Sequence, residues 1–170
     1  MNYFTLFDLP ETFNINKKLL SKNFYKLQLQ FHPDLFMNDS TFKKKMILEK
    51  SIEINKGYKI LKNFSSRAIY FLSLRGFKIS KETVILKNHS FLIEYFSFYE
   101  ELENLKKNNF DEVLLNNFLK DITTKITKYQ KLIELEFNKK NFKKATIIIE
   151  KLLFFEKIKE NLKNNKMLIK

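Results

Sequence analysis

A basic amphipathic helix that ends at the tripeptide His32-Pro33-Asp34 constrains the fold of this 170-residue chain more than any other feature. Apolar residues ahead of the tripeptide recur at spacings of four, three and four residues, which places them on one helix face. They are Leu20, Phe24, Leu27 and Phe31. Lysines at every fourth position form a positive ridge on the same helix at Lys18, Lys22 and Lys26. Because proline ends a helix and disfavours helical geometry in the residue before it, we expect the tripeptide in an exposed loop.

A second helical pattern follows the tripeptide, and the composition extends the helical prediction to the whole chain. The pattern begins near Ser40 and continues to about Asn63. Only two glycines and two prolines occur, which leaves little turn chemistry for a sheet-rich fold. The hydrophobic share of 44% suffices for one or two modest cores. The sequence therefore predicts an all-α protein.

The sequence lacks the patterns of a membrane-spanning or exported protein. No run of about 18 uncharged apolar residues occurs, so we expect no transmembrane helix and no membrane partner. The first residues include Asp8 and Glu11 and show no basic-then-apolar leader. A cytoplasmic location is therefore the expectation.

The inventory of reactive side chains argues against an enzyme. The chain has no cysteine, and its two histidines, His32 and His89, are too far apart in sequence to suggest a metal site. Two glycines cannot supply a glycine-rich phosphate loop, and no nucleophile elbow or carboxylate pair can be read. We therefore expect no catalytic residue, no cofactor and no metal.

The net charge of +13 allows two explanations. One is a basic helical nucleic-acid-binding protein. The other is compositional, because AT-rich codons enrich Lys, Asn and Ile without selection for a ligand. Arginine is favoured for recognising bases and phosphates, yet Arg67 and Arg75 are the only two arginines. The lysines are also spread over every predicted helix, so we favour the compositional explanation and expect no nucleic-acid partner.

The chain is predicted to form two domains. The first covers residues 1–75, a short connection covers residues 76–81, and the second domain covers residues 82–170. Gly76 can end a helix there, because glycine adopts the left-handed conformation without strain. Asparagine-rich segments divide the second domain into three predicted helices, at about 81–106, 110–138 and 141–166.

The first helix of the second domain has two apolar sides. At about 100° per residue, one set falls within roughly 80° and forms the expected core stripe. Its members are Phe91, Tyr95, Phe98, Leu102 and Leu105. Leu92, Ile93 and Phe96 lie roughly 150° away, beside Glu100, and Phe154 projects from the side of the last helix opposite its core. In a three-helix domain such a second side indicates a binding patch, with ordinary core packing as the alternative.

The helix, the tripeptide and the returning helix together resemble a J-domain. Three segments extend the match, namely 2–7 (NYFTLF), 54–61 (INKGYKIL) and 67–70 (RAIY). Three later segments narrow the resemblance to one family of J-domain proteins. They are 72–77 (LSLRGF), 91–94 (FLIE) and 100–102 (EEL). Over nearly its whole length the chain resembles the HscB, or Hsc20, family of J-type co-chaperones of bacterial iron–sulfur cluster assembly.

The resemblance implies an L-shaped, all-α adaptor that performs no bond chemistry itself. Its N-terminal J-domain, a helical hairpin with the H-P-D loop, would dock on an HscA-like Hsp70-type chaperone and stimulate the ATPase of that chaperone. His32, Pro33 and Asp34 would contact the ATPase, while Lys22 and Lys26 would meet an acidic surface. Since this chain has no cysteine, any iron–sulfur cluster would be held by a partner.

The resemblance also implies a client for the C-terminal three-helix bundle. The matching residues in the family bind the iron–sulfur scaffold protein, which is IscU-like. In this chain the hydrophobic anchors would be Leu92, Ile93, Phe96 and Phe154, and Glu100 would add a polar contact. A J-domain co-chaperone for a different client stays the alternative.

Four positions depart from the family pattern. Leu35 stands where a lysine usually follows the tripeptide, which removes one charge from the docking edge. Gly57 replaces a helical alanine, at an expected cost to rigidity of about 1 kcal/mol. Ser97 and Asn104 replace acidic residues, so the hydrophobic anchors are expected to carry more of the scaffold binding.

Overall fold

The computed structural model describes residues 2–79 and 88–168, with side chains up to residue 165. Within these ranges every regular element is a helix, so the predicted all-α class is confirmed. No helix in the described ranges is long and apolar enough to cross a membrane. The elements are α1 (Tyr3–Leu6), α2 (Lys17–Phe31), a 3-10 turn (Pro33–Phe36), α3 (Thr41–Lys62), α4 (Phe64–Ser73), α5 (His89–Lys107), α6 (Glu112–Asn138) and α7 (Phe142–Leu168).

Polar caps fix where the helices begin. The side chain of Asn16 accepts a hydrogen bond from the Leu19 amide at 3.0 Å ahead of α2. Ser40 caps α3 in the same way, and α3 ends at Lys62 with Asn63 as its C-cap, which confirms the predicted bounds. These short polar side chains satisfy amides that have no partner inside the helix.

Two helices of the second domain begin later in the chain than predicted. Asn88 has an extended backbone and caps α5 through the Phe91 amide, so α5 begins at His89 rather than near residue 81. Residues 80–87 lie outside the described residues. Phe110 has a φ of 55°, in the left-handed region, so α6 begins two residues later, after its Asp111 cap. Neither backbone change follows from apolar spacing, which reports helix faces better than helix ends.

The chain divides into two compact units, Met1–Phe71 and Leu72–Lys170. The segment after Phe71 packs on the second unit, because the Phe77 ring lies 6.0 Å from the Phe142 ring. The Arg75 guanidinium also lies 5.4 Å from the centroid of the Phe142 ring. The predicted connection at 76–81 runs past the described residues, so the predicted domain boundaries stay a prediction.

The first unit is built on α2 and α3, which pack against each other on either side of the 3-10 turn. The Phe24 and Tyr58 rings stack between the two helices with centroids 3.9 Å apart. Arg67 is buried and donates hydrogen bonds to the carbonyls of Phe13 at 2.9 Å and Leu61 at 2.7 Å. These bonds join three separate segments, so Arg67 fixes the scaffold that carries the tripeptide.

Gly57 has a packing role that the sequence prediction missed. A Cβ atom at this position would lie 2.6 Å from Tyr3 Cδ1 and 3.0 Å from Phe7 Cε2. Both distances are shorter than ordinary carbon–carbon contacts. The glycine therefore lets α1 pack closely on α3, and the expected cost to rigidity stays a prediction.

The described residues of the second unit form a bundle of α5, α6 and α7. Its centre contains large side chains with almost no solvent exposure, contributed by all three helices. They include Leu102 from α5, Ile122 and Ile133 from α6, and Ile149, Leu152 and Phe155 from α7. The buried side of α5 is thus turned toward α6 and α7, which leaves its other side at the surface.

Candidate functional site

The H-P-D tripeptide lies in an exposed turn directly after α2. Pro33–Phe36 is a single 3-10 turn with Pro33 at its first position. His32 ends α2 and has an extended backbone, with φ −69° and ψ 128°. Proline imposes this geometry on the residue before it and starts the next turn with its own fixed φ. The backbone restrictions that Pro33 imposes therefore favour this turn conformation of the tripeptide.

His32 and Asp34 are exposed and hydrogen-bonded to each other. The Asp34 amide donates to His32 Nδ1 at 3.2 Å, and Asp34 Oδ2 lies 3.6 Å from the same nitrogen. A ring nitrogen that accepts a hydrogen bond carries no proton, so the neutral imidazole bears its proton on Nε2. The turn thus presents an Nε2–H donor and an Asp34 carboxylate acceptor to solvent.

Lys22 and Lys26 are exposed on α2, the helix that leads into this turn. Within the described part of the chain neither lysine forms an ion pair. The α2 sequence contains four lysines and no acidic residue. The surface beside the tripeptide is therefore positive and suits an acidic partner.

Sequence reasoning missed an exposed apolar surface next to the tripeptide. Tyr25, Leu29 and Leu35 are 67%, 69% and 64% exposed, and together with Gln28 and His32 they line a groove of 240 Å³. We call these three residues the apolar edge. Tyr25 and Leu29 are four residues apart on the α2 side opposite Leu20, a spacing that could have revealed them.

The structure places the two predicted sides of α5 as the spacing indicates. In the core stripe Phe91, Leu102 and Leu105 are buried, while Tyr95 and Phe98 are half-buried. On the other side Ile93 is 68% exposed, Phe96 is 56% exposed and Leu92 is half-buried. These three side chains are therefore surface residues of the bundle.

Phe154 extends this surface from α5 onto α7. Its half-buried ring lies 5.8 Å from the Phe91 ring and 5.4 Å from the Tyr95 ring. The Tyr95 ring in turn lies 5.9 Å from the Phe96 ring. Tyr95, which the spacing assigned to the core alone, therefore joins Phe96 and Phe154 into one aromatic row.

Burial raises the pKa of the Tyr95 phenol, and the neighbouring Tyr99 adds to the effect. The phenol stays protonated at neutral pH, as an ordinary tyrosine does, and can donate a hydrogen bond at the edge of the aromatic row. A partner group that accepts this hydrogen bond would be oriented on an otherwise apolar surface.

The α5 surface is acidic in an otherwise basic protein. The helix has four glutamates and two lysines, a net charge of −2 with His89 neutral, whereas each other described α-helix is neutral or positive. Glu94 pairs with Lys125 and Glu103 pairs with Lys106 at 3.0 Å. Glu100 is exposed and lines a groove of 270 Å³ with residues that include Phe96, Tyr99 and Asn104. The aromatic row lies beside the exposed carboxylate of Glu100, and this combination favours a partner with a basic surface.

The described residues contain no candidate metal-binding site. In the ranges 2–79 and 88–168 no group of three His, Asp or Glu side chains is placed to hold a metal ion. The two surfaces are both of the kind that binds proteins, since each combines exposed apolar side chains with charge.

Comparisons with known proteins agree with this architecture. The family profile described as the HSCB C-terminal oligomerisation domain matches residues 87–163. Over 163 residues the chain is 67% identical to the co-chaperone protein HscB of Buchnera aphidicola subsp. Acyrthosiphon pisum (strain Tuc7), covering 96% of this chain and 94% of the relative.

Solved structures extend the match to the fold. The chaperone HscB from Vibrio cholerae superimposes with a TM-score of 0.90 at 32% identity, covering 99% of this chain and 100% of that one. The human co-chaperone protein HscB gives a TM-score of 0.91 at 27% identity, covering 98% and 82%. With its N-terminal J-domain and C-terminal helical bundle, this chain belongs to the HscB family of co-chaperones.

Proposed function

We propose that this co-chaperone stimulates the ATPase of an HscA-like Hsp70-type chaperone and delivers an IscU-like iron–sulfur scaffold protein to it. The protein would thereby support the assembly and transfer of iron–sulfur clusters in the cytoplasm. The observation that carries the proposal is the ordered, exposed H-P-D turn at the end of a helix with four lysines and no acidic residue.

The first unit would activate the chaperone through contacts alone. Lys22 and Lys26 would steer the approach to an acidic surface, an effect that weakens as salt screens the charges. His32 Nε2–H and the Asp34 carboxylate would then make directed hydrogen bonds, the latter to an arginine of the chaperone. Because Pro33 already fixes the turn, little ordering entropy is lost on docking. Binding energy of this kind accelerates hydrolysis by favouring one conformation of the chaperone.

The second unit would hold the scaffold protein on the α5 surface. Leu92, Ile93, Phe96 and Phe154 would be the apolar anchors, and Glu100 would contact a basic or hydrogen-bonding group. Since both units belong to one chain, a bound scaffold protein reaches the chaperone at a raised effective concentration.

The proposal is tested by steady-state ATP hydrolysis of the Hsp70-type chaperone with this protein, the scaffold protein, or both. We expect stimulation by this protein alone and a larger, more than additive stimulation when the scaffold protein is also present. Stimulation that the scaffold protein does not increase, together with no binding between the two proteins, would favour the alternative of a different client. No stimulation under any condition would refute the proposal.

A further inference from the structure

The apolar edge shares its groove with the tripeptide. Tyr25, Leu29 and Leu35 line the same 240 Å³ groove as His32, so any protein that covers His32 also covers part of the edge. The amide of Leu35 donates to the His32 carbonyl at 3.1 Å, which fixes the start of its side chain relative to the imidazole. The edge is therefore continuous with the surface that the proposed function assigns to the chaperone.

Three exposed large apolar side chains lie together in this groove. Isolated apolar side chains are common at protein surfaces, whereas clusters of them mark contacts with other proteins. Each member of the edge is more than 60% exposed. Leu35 in particular follows the tripeptide directly. An apolar group at this point gains from burial, whereas a lysine would have to be desolvated or paired.

We propose that the apolar edge, and Leu35 above all, determines which Hsp70-type chaperone this protein activates. The inference rests on the proposed function and deepens it. The selected chaperone presents an apolar side chain opposite Leu35 and Leu29, beside the acidic surface that meets Lys22 and Lys26. A chaperone with a carboxylate opposite Leu35 is disfavoured, because burying that carboxylate against leucine leaves it without a partner.

The test compares Leu35→Lys and Leu35→Ala with the unsubstituted protein in ATPase assays with two Hsp70-type chaperones, that of the same organism and one whose own co-chaperone has a lysine directly after the tripeptide. With the first chaperone, both substitutions are expected to raise the concentration for half-maximal stimulation about tenfold, a usual loss for a buried apolar contact. With the second chaperone, Leu35→Lys is expected to lower that concentration, and a rise of the same size with both chaperones would contradict the selection. Val113→Lys in the second unit is the matched control, since Val113 is 67% exposed and the change adds the same charge. This control is expected to leave the half-maximal concentration unchanged. Circular dichroism checks that Leu35 variants stay folded.

The outcomes distinguish a failure of this inference from a failure of the proposed function. If His32→Gln abolishes stimulation while both Leu35 variants match the unsubstituted protein, the inference on the edge is wrong and the function stands. If the unsubstituted protein gives no stimulation, both are wrong. If sedimentation shows that Leu35→Lys dissociates a dimer and leaves stimulation unchanged, the edge binds a second copy of the chain, which also overturns the inference.

Discussion

His32 has a different hydrogen-bonding role at each of its two ring nitrogens. Nδ1 accepts the Asp34 amide at 3.2 Å, which closes the turn, and Nε2 is left with a proton that points to no described partner. A glutamine could not reproduce both roles with the same geometry. At the scale of single residues, the tripeptide thus combines a structural role with a binding role in one side chain.

Gly57→Ala is expected to destabilise the first unit. The added methyl group would meet Tyr3 and Phe7, and overpacking of this kind costs about 1–3 kcal/mol. The higher helix propensity of alanine returns about 1 kcal/mol, so we expect a net loss of about 1 kcal/mol. Denaturant unfolding of the full chain measures this loss. Lys56→Ala, at the exposed neighbouring position, is the control. Greater stability of Gly57→Ala would contradict the packing role of the glycine.

At the scale of elements, α5 combines structural and binding surfaces on one helix. Its buried side contributes Phe91, Leu102 and Leu105 to the bundle core. Its other side exposes Ile93 and Phe96 next to a net negative charge that no other described α-helix has. The exposed side can therefore be changed without removing core contacts, which makes binding separable from folding by mutation.

Phe96→Ala and Leu92→Ala are each expected to weaken binding of the scaffold protein by roughly tenfold or more. Truncation of an interface anchor often costs about 2 kcal/mol, and about 1.4 kcal/mol corresponds to a factor of ten in affinity. Isothermal titration calorimetry with the full-length protein measures the dissociation constants. The melting temperatures should stay close to that of the unsubstituted protein, since Phe96 is exposed and Leu92 only half-buried.

Val113→Ala is the matched control for this experiment. Val113 is an exposed apolar residue of α6 outside the aromatic row, so its truncation should leave scaffold binding unchanged. Unchanged binding of a Leu92→Ala, Phe96→Ala double variant would place the client on another surface of the protein.

Helix faces were predictable from the sequence, because apolar spacing reports directly which side of a helix is buried. The core stripe of α5 is an example, since Phe91, Leu102 and Leu105 are buried as the spacing predicts. The left-handed backbone of Phe110 and the cap at Asn88 were not, since they depend on local turn geometry. The apolar edge was missed because Tyr25 and Leu29 share the outer side of α2 with its lysines, and Leu35 lies beyond the end of that helix. The role of Gly57 depends on a long-range contact with α1, which no local pattern contains.

At the scale of the whole molecule, the two surfaces belong to separate compact units of one chain. One has a positive helix and an ordered polar turn, and the other has an aromatic row with acidic neighbours. This contrast in charge favours an acidic partner for the surface that α2 presents and a basic one for the surface that α5 presents. The contrast is confined to these two surfaces, because both units carry a net positive charge.

The central claim is that the H-P-D turn activates a chaperone ATPase, and single-turnover ATP hydrolysis with and without His32→Gln tests it most directly. The unsubstituted protein is expected to accelerate hydrolysis by the Hsp70-type chaperone, and His32→Gln is expected to abolish that acceleration with helix content unchanged. His89→Gln is the control, because His89 is the other histidine and lies in the second unit. Full acceleration by His32→Gln would contradict the account.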